Sequence, residues 1–274
     1  MRGEQRMNRS VAPARTHDVS RDRRDDAPPS RDAGRRPMGL ATVGPQTLDL
    51  YGTALRSVGE PGERRQWFAR YEHGPRRSLA SELGRWCDGA DETDRDLLAR
   101  AGGTVLDAGC GPGRLVAELA GQGRMALGVD TSRAAVTIAR DLGATAVRRS
   151  IFDPVPAEGS WDTVLLADGN IGIGGDPVAL LTRCRELVAV TGRVLAELDP
   201  PGTGIRAGRV RLERGTQRGT WFPWAHVGID AVAEPARAAG LRVQATWERG
   251  GRCFASLVPL GDDPSVDARL ELAS

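Results

Sequence analysis

From residue 104 onward, short apolar runs alternate with stretches in which apolar residues recur every three or four positions. The runs TVLDAG (104–109), MALGVD (125–130), TAVRRS (145–150), DTVLLAD (162–168) and RVLAELD (193–199) read as strands. Residues 114–120, 132–142 and 177–190 carry the helical spacing between them, and Asp176 and Pro177 supply an N-cap and a first-turn proline for the last. Strands alternating with helices predict a parallel sheet covered on both faces. The pattern changes at the end. Residues 228–240 are helical, with Pro235 marking a kink or a late start, and LRVQATWERGGRCFASLV (241–258) reads as two strands joined by a tight Arg-Gly-Gly turn. Upstream, Leu48, Tyr51 and Leu55 mark a helix, residues 66–80 alternate around a His-Gly-Pro turn, and Asp91 caps a helix with Asp94 three positions on. The expected architecture is α/β: a doubly wound, mostly parallel seven-stranded sheet with a C-terminal antiparallel hairpin and an N-terminal cap. The expected divisions are a tail (1–40), the cap (41–98), the α/β domain (99–260) and a polar C-terminal tail (261–274).

Residues 1–40 contain no aromatic residue and no Ile and are crowded with Arg, Asp, Pro and Ser, so they are expected to be disordered. The whole chain is net +2, and this tail holds ten Arg against six acidic residues, so the remainder is slightly acidic. Basicity confined to a tail argues against a nucleic-acid groove on the folded part. There is no Lys, which excludes a lysine nucleophile or Schiff base. Cys87, Cys110, Cys184 and Cys253 show no CxxC spacing and there are three His, so neither a metal site nor a disulfide framework is expected, and a reducing cytoplasm fits. No apolar run is long enough to span a membrane, and no apolar segment follows the basic N-terminus as in a secretory signal.

The chemistry concentrates where the first strand meets Gly109, Gly111 and Gly113. In an open parallel sheet, ligands sit beyond the carboxyl ends of the strands, and glycines there let a ligand approach the backbone. A dinucleotide fingerprint requires a further glycine at the position held by Arg114. Asp130, ending the second strand, is placed to take both hydroxyls of a ribose. Asp107, just before the loop, would repel a pyrophosphate and suits a ligand with cationic groups.

VLDAGCGPGRL followed by ALGVDTS resembles the first two motifs of the class I S-adenosylmethionine-dependent methyltransferases, a Rossmann-like family, over residues 99–260. DGNIGIGGDP is similar to a stretch found in a bacterial subgroup of unassigned substrate. The resemblance implies S-adenosylmethionine as cofactor and S-adenosylhomocysteine as product. It places Asp107 near the amino-acid end, Gly109, Cys110, Gly111 and Gly113 under the methionine and ribose, and Asp130 with Thr131 at the ribose. Phe152 would flank the adenine, Asp153 would accept from its amino group, and Asp168, Gly169 and a catalytic Asn170 would lie beside the methyl. Cys110 reads as a small filler rather than a thiol reagent. Tyr51 is expected to close over the methionine end. The GTWFPWAHVG stretch (219–228) offers Trp221, Phe222, Trp224 and His226 as an acceptor pocket, with His226 as a base, and Trp67, Tyr71 and Trp86 add to it from the cap.

The function expected is methyl transfer to a small molecule by in-line displacement, with no nucleic-acid or membrane partner; nothing in the sequence marks an oligomeric state. Rival readings are an NAD-dependent reductase, an RNA or DNA methyltransferase, and a non-catalytic S-adenosylmethionine-binding module. Arg114 and the terminal hairpin count against the first. The second would need a basic face on the folded part, and the Asn/Asp-Pro-Pro-Tyr/Phe motif frequent in amino-methylating nucleic-acid enzymes does not follow the fourth strand.

Overall fold

The computed structural model describes residues 43–261. The tail expected at 1–40, and all but the first residue of that at 261–274, lie outside the described residues. The described residues begin with α1 (Pro45–Ser57), a hairpin of β1 (Trp67–Tyr71) and β2 (Arg76–Ser78), α2 (Ala80–Cys87) and α3 (Glu92–Ala99). The α/β part follows as β3 (Val105–Ala108), α4 (Arg114–Gly121), β4 (Ala126–Asp130), α5 (Arg133–Asp141), β5 (Ala146–Arg148), β6 (Trp161–Leu166), α6 (Pro177–Leu187) and β7 (Val188–Leu198). Then come β8 (Ile205–Arg214), β9 (Gln217–Arg218), β10 (Phe222–Val227), α7 (Ala233–Ala238), β11 (Leu241–Arg249) and β12 (Arg252–Pro259).

The main sheet has seven strands in the order β11-β12-β7-β6-β3-β4-β5. The five from β3 to β7 are parallel, and β12 runs antiparallel to both β7 and β11. Period-two alternation divides its apolar residues between two faces. Leu106, Val164 and Leu166 pack with Leu180, Leu181 and Leu187 of α6, whereas Val105, Leu165 and Leu195 pack with Leu97 and Leu98 of α3 and Leu115 and Leu119 of α4. These side chains are essentially fully buried, each contributing about 1.5–3 kcal/mol relative to exposure. Gly250 and Gly251, both with positive φ, make the tight turn expected between β11 and β12. α7 starts at Ala233, so Pro235 sits in a first turn where its missing N–H is harmless.

Two expectations need correction. The helix expected over 177–190 ends at Leu187, because Val188 turns to an extended conformation and pairs with Trp161 as the start of β7. Nor is the cap N-terminal alone. β8 and β10, contributed after the fifth parallel strand, join β1 and β2 in a second sheet of order β10-β8-β1-β2, with β9 paired to β8. β8 carries Arg at 206, 209, 211 and 214, and its pairing partner β1 lies far away in sequence, so no local signal announced it. α1 is drawn against α5 through Gly52, whose missing Cβ would lie 2.7 Å from that of Ala134. Leu50, Ala54, Leu55, Trp67 and Leu83 form a small core of their own there.

A buried ion network ties α3 to α4, β12, β7 and the end of β6. The expected cap on α3 is present as a capping box, with the Asp94 N–H donating to Asp91 Oδ1 at 2.7 Å and the Asp91 N–H to Asp94 Oδ2 at 3.2 Å. Asp94 does more than cap. Fully buried, it accepts two bonds of 2.9 Å from the Arg114 guanidinium and one of 2.8 Å from Arg252. Arg114 also reaches Asp168 after β6, and Arg252 makes a bidentate pair with Glu197 of β7 at 2.9 and 2.7 Å. Burial works to raise the Asp94 pKa, but Arg114 and Arg252 hold it down at about 2. Removing one partner from such a set leaves charge buried without compensation, which costs about 3–5 kcal/mol. Arg114→Ala is therefore expected to destabilise the fold by that amount in denaturant titrations; an unchanged midpoint would show that the network contributes nothing.

Candidate active site

The parallel strands end at a cavity of about 780 Å³. Its floor is the loop after β3 and the ends of β4 to β7, and its cover comes from α1, α2, β1, β8 and β10. The glycine loop takes its shape from positive φ at Gly109 (+78°) and Gly111 (+53°). A Cβ on Gly109 would come within 2.8 Å of Asn170 Nδ2, and one on Gly111 within 3.1 Å of the Tyr51 hydroxyl. Asn170 and Tyr51 thus flank the loop closely, and Gly111 leaves its backbone open beneath the cover. Gly113 differs from the expectation. Its Cβ would meet Ala139 Cβ at 2.6 Å and Ala144 Cβ at 3.2 Å, so its bareness serves the packing of α4 against α5, and it does not line the cavity. Cys110 turns its sulfur inward, to 2.5 Å from where a Gly128 Cβ would stand, and burial pushes its thiol far above the ordinary range.

Asp130 ties the loop to the following helix. Its carboxylate accepts from the Gly111 N–H at 3.0 Å and the Ser132 N–H at 2.7 Å. Burial raises its pKa, with these backbone donors opposing the rise. Thr131, Phe152 and Asp153 line the same end of the cavity, and Phe152 also packs against the main core. Asp107 is buried beneath, and desolvation lifts its pKa to about 7 against the opposing pull of Arg114. Tyr51 is also desolvated, with Asp130 close by, so its hydroxyl stays protonated well beyond its usual range.

At the β6 end, Asp168 has φ +56°, unusual for a residue other than glycine, and Gly169 follows at +76°. Arg114 and Arg85 grip the Asp168 carboxylate, and its N–H donates to Glu197 at 2.6 Å. Asn170, expected beside a transferred methyl, uses its amide to donate to the carbonyls of Ala108 and Gly109, both at 2.9 Å. That commitment makes it a positioning residue that clamps the glycine loop while one edge lines the cavity.

The aromatics of the cap and of 219–228 do meet. Trp67, Tyr71, Trp86, Phe222, Trp224 and His226 all line the cavity. Trp67 is fully buried, so its role is mostly that of a core residue, with its indole N–H on Ser57 at 3.3 Å. Trp221 does not line the cavity. Phe222, Trp224 and His226 occupy alternate positions on β10 and share one face, which leaves Trp221 under the Arg211 guanidinium at 4.5 Å. The sequence reading missed Arg85, Asp94, Glu197, Asp199 and Arg252. Arg114 was noticed only for interrupting a glycine pattern, and Asp199 is marked only by its position at the end of a strand.

DGNIGIGGDP also finds a physical reading. A Cβ on Gly172 would fall 2.1 Å from the Ala225 carbonyl and 2.7 Å from the Trp224 indole nitrogen, and one on Gly175 2.7 Å from Pro223 Cβ. These glycines let β10 close onto the main layer, where Ile173 bridges Trp224. Gly172→Ala is expected to destabilise by about 1–3 kcal/mol, as overpacking does; an unchanged denaturation midpoint would contradict this contact. Asp107 gives a pH signature. A folded pKa near 7, raised from 3.8, means stability is greatest below pH 4 for this group and is lost as pH rises to 7, by about 4 kcal/mol in total. Asp107→Asn should flatten that slope in pH-dependent unfolding; a slope identical to the wild type would contradict the raised pKa.

Residues 105–192 match the family model described as a methyltransferase domain. A comparison with curated proteins gave no match. Among solved structures, the chain is similar to an S-adenosylmethionine-dependent methyltransferase from Bacteroides fragilis in complex with S-adenosylhomocysteine. The identity is 20%, covering 80% of this chain and 98% of that one, with a TM-score of 0.65. It also matches the 1,6-didemethyltoxoflavin N1-methyltransferase of Burkholderia thailandensis at 20% identity, over 67% of this chain and 84% of that one, with a TM-score of 0.48. The segment from β3 into β7 therefore matches the methyltransferase-domain family, and the chain shares the fold of the Bacteroides fragilis methyltransferase.

Proposed function

We propose that this protein is an S-adenosylmethionine-dependent methyltransferase acting on a small molecule, with the α/β part of residues 99–260 carrying the chemistry and the N-terminal cap together with β8 and β10 covering it. The observation that carries the reading is one cavity running from the Gly109–Gly111 loop and Asp130 to the aromatic rim of Tyr71, Trp224 and His226. The residues fit the cofactor. Gly109 and Gly111 leave the backbone bare, and Asp130 presents a half-buried carboxylate suited to two ribose hydroxyls. Phe152 and Asp153 suit an adenine face and its amino group, and Thr131 borders the ribose. Asp107, buried beneath the loop and outside the cavity lining, has its pKa raised by desolvation and would be drawn to its ionised form by an ammonium placed above it. Asp168 and Gly169 border the methyl-bearing centre, and Tyr51 closes over it.

When bound, the cofactor supplies a methyl already activated on a sulfonium. The protein then needs to align an acceptor in line with that methyl and exclude water, a form of orientation worth roughly 7–11 kcal/mol in well-placed intramolecular reactions. A covered cavity rimmed with aromatics suits a small acceptor, whereas a nucleic acid calls for an open basic groove.

Thermal melts with S-adenosylhomocysteine and with NAD test the reading. At about 100 times its dissociation constant the former should stabilise the fold by roughly 2.7 kcal/mol and NAD should do nothing; a shift with NAD alone would overturn it. Asp130→Ala should weaken S-adenosylhomocysteine binding by about 1.5–3 kcal/mol through lost charge-assisted hydrogen bonds; unchanged affinity would remove Asp130 from the site.

A further inference from the structure

Beyond the cofactor half, the cavity holds a second constellation. Asp199 directly follows β7 and β10 delivers His226 beside it, with Nδ1 3.2 Å from Oδ2 and 3.3 Å from Oδ1. The backbone fixes both partners. The Asp199 N–H donates to the Val227 carbonyl at 2.9 Å, the Ile229 N–H donates to the Asp199 carbonyl at 3.0 Å, and the Val227 N–H donates to Asp199 Oδ2 at 3.2 Å. An ionised carboxylate only accepts hydrogen bonds, so the contact places a proton on Nδ1, and in the neutral imidazole Nε2 then holds the lone pair. The ring of Tyr71 lies 5.4 Å from that of His226, and Phe222 meets Trp224 edge-on at 6.2 Å. Two acids of the cavity wall are committed elsewhere, Asp168 to Arg114 and Arg85 and Glu197 to Arg252, while Glu82 lines the wall on the Tyr71 side.

We propose that His226, held by Asp199, is the proton acceptor of the transfer, and that the acceptor molecule is a flat ring bearing an ionisable hydroxyl, seated among Tyr71, Phe222 and Trp224. This rests on the function proposed above and specifies its substrate class. Aromatic side chains favour a planar ring in offset or edge-on contact. A hydroxyl, unlike a neutral amine, gains its nucleophilicity as its proton departs, which is where a positioned base contributes. The step balances. The hydroxyl proton passes to His226 Nε2 while the oxygen forms its bond to the methyl carbon. The carbon–sulfur bond breaks with its electron pair remaining on sulfur, giving a methyl ether and the neutral thioether S-adenosylhomocysteine. The imidazolium, facing Asp199, then releases the proton to solvent. Asp199 acts through His226 and is a positioning residue.

The test uses the full chain loaded with S-adenosylhomocysteine and 4-nitrophenol as probe, whose ionised form absorbs visible light. The expected result is a bound probe showing the ionised band in the wild type. His226→Gln and Asp199→Asn should each weaken that band at least tenfold while S-adenosylhomocysteine affinity stays within twofold, and Trp221→Phe, outside the cavity, should change neither. A band unaffected by both variants, or no probe binding to the loaded protein, would overturn the proposal. Because Asp199 also stitches β10 to β7, Asp199→Asn can lose its fold. The imidazole ¹⁵N shifts of His226 in the wild type loaded with S-adenosylhomocysteine then decide: an Nε2 unprotonated before 4-nitrophenol is added and protonated once the ionised probe is bound is expected, and an Nε2 that stays unprotonated beside the ionised probe, or is protonated without it, overturns the assignment. Failure of the wild type to bind S-adenosylhomocysteine would instead strike the proposed function.

Discussion

The buried guanidinium of Arg114 is the contact on which the rest of this molecule turns. It sits at the start of α4, at the end of the glycine loop, and binds Asp94 from α3 and Asp168 from the β6 end at once. Asp94 passes the connection to Arg252 on β12, and Arg252 to Glu197 on β7. Arg85, from α2, closes on Asp168 from the cover side. Three arginines and three carboxylates therefore join the cap to the loop that shapes the cavity floor. Such a network is costly to desolvate and adds little net stability over apolar packing. Its value lies in position: the Asp168 backbone keeps an unfavourable φ because both its carboxylate and its N–H are held.

The two ends of the cavity are built by different means. At the cofactor end the backbone does most of the work, through bare glycines, a carboxylate pinned by two N–H groups, and Asn170 clamping the carbonyls of the loop. At the other end side chains from a second sheet supply the surface, one face of β1, β8 and β10. Gly172 and Gly175 let that sheet approach, so the stretch between β6 and α6 serves the cover as much as the floor.

The sequence made the main sheet legible because its signals are local. Apolar runs such as DTVLLAD are followed by capped helices, and the Arg-Gly-Gly turn needs no partner beyond its own strands. The glycine loop, Asp130 and the meeting of cap and β10 aromatics were legible for the same reason, since chemistry-bearing residues sat next to strand ends. What stayed hidden depends on distant pairing. β8 joins β1 across more than half the described chain, and Asp94 meets Arg252 only once both are folded. Gly113 was misread because a bare residue facing a helix and one facing a ligand look alike in sequence. Trp221 was misread because an unrecognised strand hid the alternation that turns it away.

The central claim is that one cavity holds the cofactor at the glycine loop and presents its reactive end to the aromatic rim. A crystal structure with S-adenosylhomocysteine bound measures this most directly. The account predicts the ribose on Asp130, the adenine against Phe152, and the sulfur directed toward Tyr71, Trp224 and His226. A ligand seated elsewhere, or one with its adenine among those aromatics and its sulfur turned away, would contradict it.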